Sequence, residues 1–433
     1  MTEMTKENKN VKNFPNSRNV PKLRFSEFSD EWENKKLGAL MTFKVTNSYS
    51  RDNLNYESGT IKNIHYGDIH TKFRTLFDLE NENVPYINED ISLSRISEDF
   101  YCQEGDVIFA DASEDLNDVG KSIEITNLNG EKLLSGLHTL LARPQKKYFS
   151  KGFLGFLLKS DNVRNQIKRE AQGSKVLSIN VGRISNIHLS FPSFSEQHKI
   201  SEFLSLLDER IQTQKKIIEK LESLINGWRE KLFSKKSRFK DEKGNHFSDW
   251  KFSKLGEVLT IQGGFAFKSI LFNKGTTKVL RIGDISRNIN LEEFTGVFTL
   301  EIPDKKYMVN KGDFLMALSG ATFGKVGKIS CNGEAYINQR VATFRTNQCL
   351  EFFYQLVQTE NFVSYINSIP TASAQPNISN NDIAKYESMI PCLEEQNKIA
   401  NFLSSIQEKI DTEKQILEKL ELQKKFLLAN LFV

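Results

Sequence analysis

The sequence predicts a mixed α/β protein with a pseudo-two-fold internal repeat. We expect two α/β bodies separated by two long helices, which pair as an antiparallel coiled coil. Three observations predict this fold class in the 433-residue chain: motifs recur in both halves, each body holds short alternating apolar segments broken by Gly, Asn and Asp, and a heptad pattern follows each body.

Composition and length restrict the possible classes of protein. The chain is 39% hydrophobic and 26% charged, which indicates a folded chain with room for two or three domains. Neither an apolar stretch long enough to span a bilayer nor the apolar segment of a signal peptide is found, so we expect a cytoplasmic protein. The four cysteines lie far apart without CxxC spacing, so neither a structural metal nor disulfides are expected.

The repeat is defined by motifs that occur in the same order in both halves. Each copy opens with an aromatic and basic lead that ends in W-x4-LG, and it closes with P-x3-EQ-x-KI. Between them, GDI at 67–69 matches GDI at 283–285, GDV at 105–107 matches GDF at 312–314, and VGK at 119–121 matches VGK at 326–328. We refer to this shared order of motifs as the duplicated frame.

Local patterns predict the elements inside each body. Strands are expected at 106–110 and 313–317, and amphipathic helices at 153–168 and 350–367. Pro192 and Pro391 end the last strand of each copy, and the polar residues just after them suit the start of a helix.

The long helices are predicted by apolar residues at alternating steps of three and four, which is a coiled-coil seam. Gln214 and Glu413 interrupt the seam at the same place in both copies. Parallel pairing is topologically possible, but we favour antiparallel pairing because it places the two bodies at opposite ends of a rod. The seam includes Leu204, Leu207, Ile211, Ile218 and Leu221 in the first helix and Leu403, Ile406, Ile410, Leu417 and Leu420 in the second.

These patterns predict the following division of the chain: an N-terminal tail (1–20), a first α/β body (21–194), a first long helix (195–233), a linker (234–249), a second body (250–392) and a second long helix (393–433).

The duplicated frame resembles the specificity subunit of type I restriction-modification systems. The likeness runs from about residue 21 to the last residue, and the two copies of P-x3-EQ-x-KI carry most of it. The resemblance implies that the bodies are target recognition domains, each reading one half of a split sequence in double-stranded DNA. It also implies that the helices set the spacing and hold two methyltransferase subunits, through which restriction subunits join the complex.

Catalytic motifs are not found in the sequence. It contains no NPPY or DPPY loop for base methylation and no GxxxxGKS/T loop for ATP. We therefore expect a non-catalytic chain without cofactor or metal of its own. The resemblance implies that adenine-N6 methylation and ATP-dependent cleavage, with S-adenosylmethionine, ATP and magnesium, belong to the partner subunits.

Base and phosphate contacts need Arg, Lys, Asn, Gln, Ser or Thr on loops. His65 and His70 are interpreted as base-edge or surface residues, because no third metal ligand lies near in sequence. Four pairs of loops supply the DNA-binding candidates: Asn47, Ser48 and Arg51 with Lys268 and Ser269; His70, Lys72 and Arg74 with Arg287 and Asn288; Ser319, Thr322 and Lys325, opposite an acidic stretch at 113–118; and Ser174 and Lys175 with Ser373 and Gln375.

Two alternatives remain at this point. The first alternative to a specificity subunit is a protein-only coiled-coil scaffold, and the second is a fragment of a single-chain restriction-modification enzyme. Residues 33–190 hold 20 basic and 21 acidic side chains, and residues 250–390 hold 15 and 12, so neither body is strongly basic. We therefore expect the isolated chain to bind DNA weakly.

Overall fold

The computed structural model describes residues 19–94, 96–369 and 377–433. It divides into two compact units, the first reaching to Lys215 and including Ile416–Val433, and the second spanning Lys216–Gln415. Each unit combines one α/β body with segments of both long helices.

The first body consists of short strands and helices. Its strands are Glu33–Lys36 (β1), Met41–Lys44 (β2), Leu54–Asn55 (β3), Ile61–Ile64 (β4), Leu76–Asp78 (β5), Tyr86–Ile87 (β6), Val107–Ala110 (β7), Ala112–Ser113 (β8), Ser122–Asn127 (β9), Lys132–Ser135 (β10), Thr139–Pro144 (β11), Leu177–Ser178 (β12) and His188–Phe191 (β13). Its helices are Leu37–Leu40 (α1), Tyr66–Thr71 (α2), Phe153–Leu157 (α3), Asp161–Glu170 (α4) and Val181–Ile184 (α5), followed by the long helix Phe194–Phe233 (α6).

The second body has strands Lys251–Lys254 (β14), Thr260–Gly263 (β15), Phe272–Leu280 (β16), Asn288–Ile289 (β17), Val297–Thr299 (β18), Met308–Val309 (β19), Phe314–Ala317 (β20), Val326–Ile329 (β21), Ala335–Ile337 (β22), Val341–Arg345 (β23) and Glu387–Ile390 (β24). Its helices are Leu255–Val258 (α7), Leu350–Leu356 (α8), Glu360–Ser368 (α9) and Asn380–Ala384 (α10), followed by the long helix Leu393–Asn430 (α11).

The two bodies share the strand order of their five-stranded sheets. A five-stranded sheet has the order β2-β11-β7-β9-β5 in the first body and β15-β23-β20-β21-β17 in the second. Each body also has a four-stranded sheet, ordered β10-β4-β6-β3 and β18-β16-β22-β19, and a ribbon that joins its first and last strands, β1-β13 and β14-β24. The mixed α/β class and the internal repeat predicted from sequence are confirmed.

The structure corrects one detail of the duplicated frame. Gly120 donates its N–H to the end of β7, and Gly324 does the same to the end of β20, at 2.9 Å in both cases. Both glycines adopt positive φ, at +64° and +71°, where residues with a side chain are strained. The counterpart of VGK at 119–121 is therefore FGK at 323–325, and the predicted match with VGK at 326–328 is wrong by three residues. The cause is a loop three residues shorter after β20, which the identical letters concealed.

The predicted helices at 153–168 and 350–367 are also corrected, because each consists of two shorter helices. In the first body, Ser160 takes an extended conformation between α3 and α4. In the second, Thr359 stands at the same place and accepts the N–H of Phe362, which caps α9. An extended hydroxyl residue thus separates the two helices in both copies, and only Thr359 caps the second helix with its side chain.

In the first unit, the long helices run antiparallel. Asp208 of α6 pairs with Lys424 of α11 at 2.5 Å, and Lys215 pairs with Glu421 at 3.0 Å, so rising numbers in one helix meet falling numbers in the other. The seam residues Leu204, Leu207, Ile211 and Leu420 are buried and Leu417 is partly buried, in one core that also contains residues of the first body.

The helix segments of the second unit are antiparallel as well. Glu222 of α6 pairs with Lys414 of α11 at 2.6 Å, and Trp228 contacts Phe402 ring to ring. The predicted antiparallel pairing is confirmed in each unit. The seam residues Ile218, Leu403 and Ile410 are buried, and Leu221 and Ile406 are partly buried. No described helix has both the length and the apolar character needed to cross a membrane.

Candidate nucleic-acid interface

The P-x3-EQ-x-KI motif of the first unit anchors the body on its long helix. Arg24 of the lead donates to both carboxylate oxygens of Glu196, at 2.8 and 2.7 Å, and Glu196 is buried. Gln197 accepts the N–H of Ser150 at 2.9 Å and donates to the carbonyls of Tyr148 and Pro192. Two parallel hydrogen bonds of this kind neutralise the buried carboxylate and fix the orientation of the arginine relative to it.

The second unit repeats this arrangement. Arg238 donates to both oxygens of Glu395, at 3.1 and 2.8 Å, and the indole N–H of Trp250 adds a third bond to the same carboxylate at 2.9 Å. Gln396 accepts the N–H of Cys349 at 3.3 Å. We call Arg24–Glu196 and Arg238–Glu395 the Arg–Glu clamps. Because they are structural, the motif that identifies the frame is not itself a ligand site.

In the first body, the structure brings two candidate loops together at a buried carboxylate, Asp68 of the GDI motif. Arg51 binds Asp68 through two hydrogen bonds of 2.9 Å, and Lys72 lies 3.0 Å from the same group. Burial alone would raise the pKa of Asp68, but the hydrogen bonds from Arg51 and Lys72 lower that pKa below its ordinary value. Arg51 and Lys72 remain exposed along the rest of their side chains. Sequence reasoning missed Asp68, although an acidic residue between two basic loops was a visible signal.

The other candidates of these loops have different surroundings. Ser48 is exposed, whereas Asn47 donates to the side chain of Asn63 at 2.7 Å. Arg74 is exposed and lies 3.8 Å from Glu82. His70 is partly buried, with its Nε2 3.0 Å from the carbonyl of Ala112.

His65 is not the surface or base-edge residue that the sequence suggested. It is buried, and its Nδ1 accepts the N–H of Gly67 at the start of α2. Burial, the largest cause, and the nearby charge of Arg51 lower the pKa of His65. The side chain therefore caps a helix in its neutral form.

In the second body, the candidates of the first two loops have different surroundings. Lys268 and Ser269 are exposed at a short helix, Ser269–Leu271. Arg287 is partly buried, and Asn288 lies 3.4 Å from Asp411 of α11. The structure brings Asn288 against a helix of its own unit.

The third and fourth loops complete the set. Ser319 is buried, Thr322 donates to the carbonyl of Ile282 at 3.1 Å, and Lys325 is exposed. Ser174 and Lys175 are exposed between α4 and β12. Ser373 and Gln375 lie outside the described residues.

Comparisons with known proteins agree with this architecture. The family model described as "Type I restriction modification DNA specificity domain" matches twice, over residues 29–223 and 247–422. A putative type I restriction enzyme specificity subunit of Methanocaldococcus jannaschii, MjaX, is 26% identical over 95% of each chain. The MjaVIII specificity subunit of the same organism is 29% identical over 60% of this chain and 64% of its own length.

A solved structure shows the same fold. The crystal structure of the S subunit of the type I restriction-modification system from M. genitalium superposes with a TM-score of 0.57, at 16% identity, over 96% of this chain and 99% of that one. Together with the family match over both units, these findings show that the chain belongs to the type I restriction-modification DNA specificity family, as a specificity subunit with two DNA specificity domains.

Proposed function

We propose that the two bodies are target recognition domains that read the two halves of a split sequence in double-stranded DNA. One observation carries the proposal: the bodies share their frame down to the Arg–Glu clamps, yet the loops at equivalent positions carry different side chains. Arg51 at the start of a short helix in the first body is replaced by Ser269 in the second. Different side chains on one scaffold suit the reading of two different half-sites.

The candidate contacts divide into two kinds. Arg51 offers a planar guanidinium that Asp68 fixes through one N–H of each Nη group, and its remaining N–H groups suit hydrogen bonds to a guanine edge. Lys72, Lys175, Lys268 and Lys325 are exposed lysines that suit phosphate contacts. Because neither body is strongly basic, the proposal includes weak binding by the chain alone and tight binding by the complex.

The proposed partners are two methyltransferase subunits, docked on the long helices, with restriction subunits joining through the complex. Exposed apolar residues on helix segments of the first unit, Phe203 and Leu206 on α6 and Leu422 and Phe426 on α11, support docking there. In this proposal the chain carries out no catalysis. S-adenosylmethionine, ATP and magnesium are bound by the partners, and the complex acts on DNA in the cytoplasm.

Co-expression of the chain with its methyltransferase partner, followed by methylation-aware sequencing of the host genome, tests this proposal. We expect a methylated motif in two parts with a fixed gap. Replacing residues 33–190 by the first body of a related subunit is expected to change one half and leave the other. An undivided motif, or a change in both halves, would contradict the assignment of one half-site to each body. Absence of DNA binding would favour a protein-only scaffold.

A further inference from the structure

The second body carries three strongly exposed aliphatic side chains close together. Ile270 is 75% exposed, Leu300 61% and Ile302 78%. Their segments are adjacent, because Phe272 pairs with Thr299 and the N–H of Lys268 donates to Glu301 at 2.9 Å. We call Ile270, Leu300 and Ile302 the apolar tip.

The first body is polar at equivalent positions. The pairing of Leu54 with Ile87 there matches the pairing of Phe272 with Thr299, so Asp52 corresponds to Ile270 and Asn88 to Leu300. The amide of Asn88 donates to the carbonyl of Asp52 at 3.0 Å and accepts from Asn55 at 2.9 Å. The exposed aliphatic residues are therefore a property of the second body and not of the shared fold.

The charges beside the tip differ between the bodies in the same way. Arg143 donates to the carbonyl of Tyr101, and Arg345 donates to that of Met308, both at 2.8 Å. By this equivalence, Glu98 and Asp99 of the first body correspond to Lys305 and Lys306 of the second.

The lysines around the tip lack carboxylate partners in the part of the chain that the structure describes. Asp99 binds Lys44 and Arg143 in the first body. In contrast, the four exposed lysines near the tip take part in no described ion pair; they are Lys268, Lys274, Lys305 and Lys306. Two carboxylates of the same segment accept backbone N–H groups, Glu301 from Lys268 and Asp304 from Lys306. An apolar patch with exposed lysines in the adjoining segments is complementary to a polyanion that also presents apolar groups.

We propose that the apolar tip is a DNA-reading element of the second body. Its aliphatic side chains contact thymine methyl groups in the major groove, and the surrounding lysines bind the flanking phosphates. The first body has Asp52 and Asn88 in place of Ile270 and Leu300, so only the half-site of the second body is read in this way. The inference rests on the proposed function, because it assigns a mode of recognition to one of the two half-sites.

The test uses the complete complex with its methyltransferase partner and the split target that sequencing identifies. Duplexes carry deoxyuridine in place of each thymine of one half-site in turn, which removes single methyl groups. We expect the wild-type complex to lose about fivefold or more in affinity at one or more positions of the second half-site. The triple variant Ile270→Ser, Leu300→Ser, Ile302→Ser is expected to bind the normal target about tenfold more weakly and to be insensitive to those positions.

Two matched controls separate the tip from general surface effects. Phe252→Ser removes an exposed apolar side chain of the same body on β14, and it is expected to change neither affinity nor methyl sensitivity. The pair Lys305→Gln, Lys306→Gln is expected to lower the slope of log affinity against log salt by about 1 to 2, whereas Lys311→Gln, at another exposed lysine of the body, leaves it unchanged.

Three results would overturn the inference while the proposed function stands. The first is wild-type affinity in the triple variant, and the second is a second half-site with no methyl-sensitive position. The third is a triple variant that binds DNA normally but loses a protein subunit from the complex, which would make the tip a protein contact. Failure of the proposed function looks different, because the wild-type complex itself would then not bind a split target.

Discussion

Glu124 and Lys328 occupy the same position in the two bodies, where one body has an acidic and the other a basic side chain. Glu124 of β9 faces Val107 across the sheet, and Lys328 of β21 faces Phe314 in the same register. Glu124 accepts the N–H groups of Gly152 and Gly155 at 2.5 and 2.7 Å, at the start of α3. The two bodies thus stabilise the start of the following helix by opposite means, since Lys328 binds Glu351 of α8 at 2.5 Å.

The first prediction concerns the pH dependence of this buried carboxyl group. Burial raises the pKa of Glu124 from 4.5 to about 7, although the N–H groups of Gly152 and Gly155 oppose the shift. The folded state therefore holds the proton more tightly than the unfolded state does. The stabilisation that results is fully present below pH 4.5 and is lost as pH rises through about 7. The difference amounts to about 3 kcal/mol of unfolding free energy.

Glu124→Gln is expected to remove this pH dependence, because the amide does not titrate. Calorimetric midpoints between pH 4.5 and 7.5 should fall more steeply in the wild type than in the variant. Glu104→Gln, at an exposed carboxylate beside Lys151, serves as the control and should keep the wild-type slope. Equal slopes in the wild type and in Glu124→Gln would show that Glu124 is ionised in the folded state.

The second prediction concerns the Arg–Glu clamps. Arg24→Ala leaves Glu196 buried without its charged partner, which costs about 3 to 5 kcal/mol of unfolding free energy. Arg238→Ala is expected to cost less, because the indole N–H of Trp250 still binds Glu395. Urea unfolding monitored by tryptophan fluorescence provides the measurement.

Lys35→Ala is the control for the clamps, since Lys35 pairs with Glu33 at the surface and its loss should change the free energy of unfolding much less than the loss of Arg24 does. Arg24→Lys should fall between the wild type and Arg24→Ala, because one ammonium group cannot reproduce two parallel bonds. A cost below about 1 kcal/mol for Arg24→Ala would mean that the clamp does not hold the body on its helix.

Some features of the fold and of the candidate site were predicted from the sequence, and others were not. The apolar seams of the two long helices were predicted from residue spacing, because heptad periodicity reflects a local helix. The repeat was predicted from motifs that recur in the same order. The acidic Asp68 between two basic loops was visible in the sequence, but its pairing with Arg51 was not, since tertiary packing decides which loops meet. The equivalence of Gly120 with Gly324 was also missed, because backbone φ and strand register are not visible in matching letters.

The third prediction separates the structural role of Arg51 from its proposed role in DNA reading. Arg51→Lys keeps a positive charge beside Asp68 but loses the planar fork that suits a guanine edge, so affinity for the target should fall about tenfold or more. The loss should map to the half-site of the first body when single base pairs are changed. Arg169→Lys, at an exposed position on α4, is the control and should bind as the wild type does. An equal loss for every target sequence would indicate a phosphate contact or a purely structural role.

The last prediction tests the long helices as the spacer between half-sites. One heptad is inserted after Ile211 in α6 and one before Lys424 in α11, positions that lie opposite each other because Asp208 pairs with Lys424 and Lys215 with Glu421. Seven residues preserve the seam and add about 10 Å of helix at 1.5 Å per residue, which equals about three base pairs. We expect methylation-aware sequencing to show an unchanged pair of half-sites with a longer gap, or lost binding, because three base pairs also rotate one half-site by about 100° around the duplex. Seven residues inserted after Gly244, in an exposed turn of the linker, should leave the gap as it is. If the double insertion preserves both DNA binding and the original gap, the helices do not set the spacing.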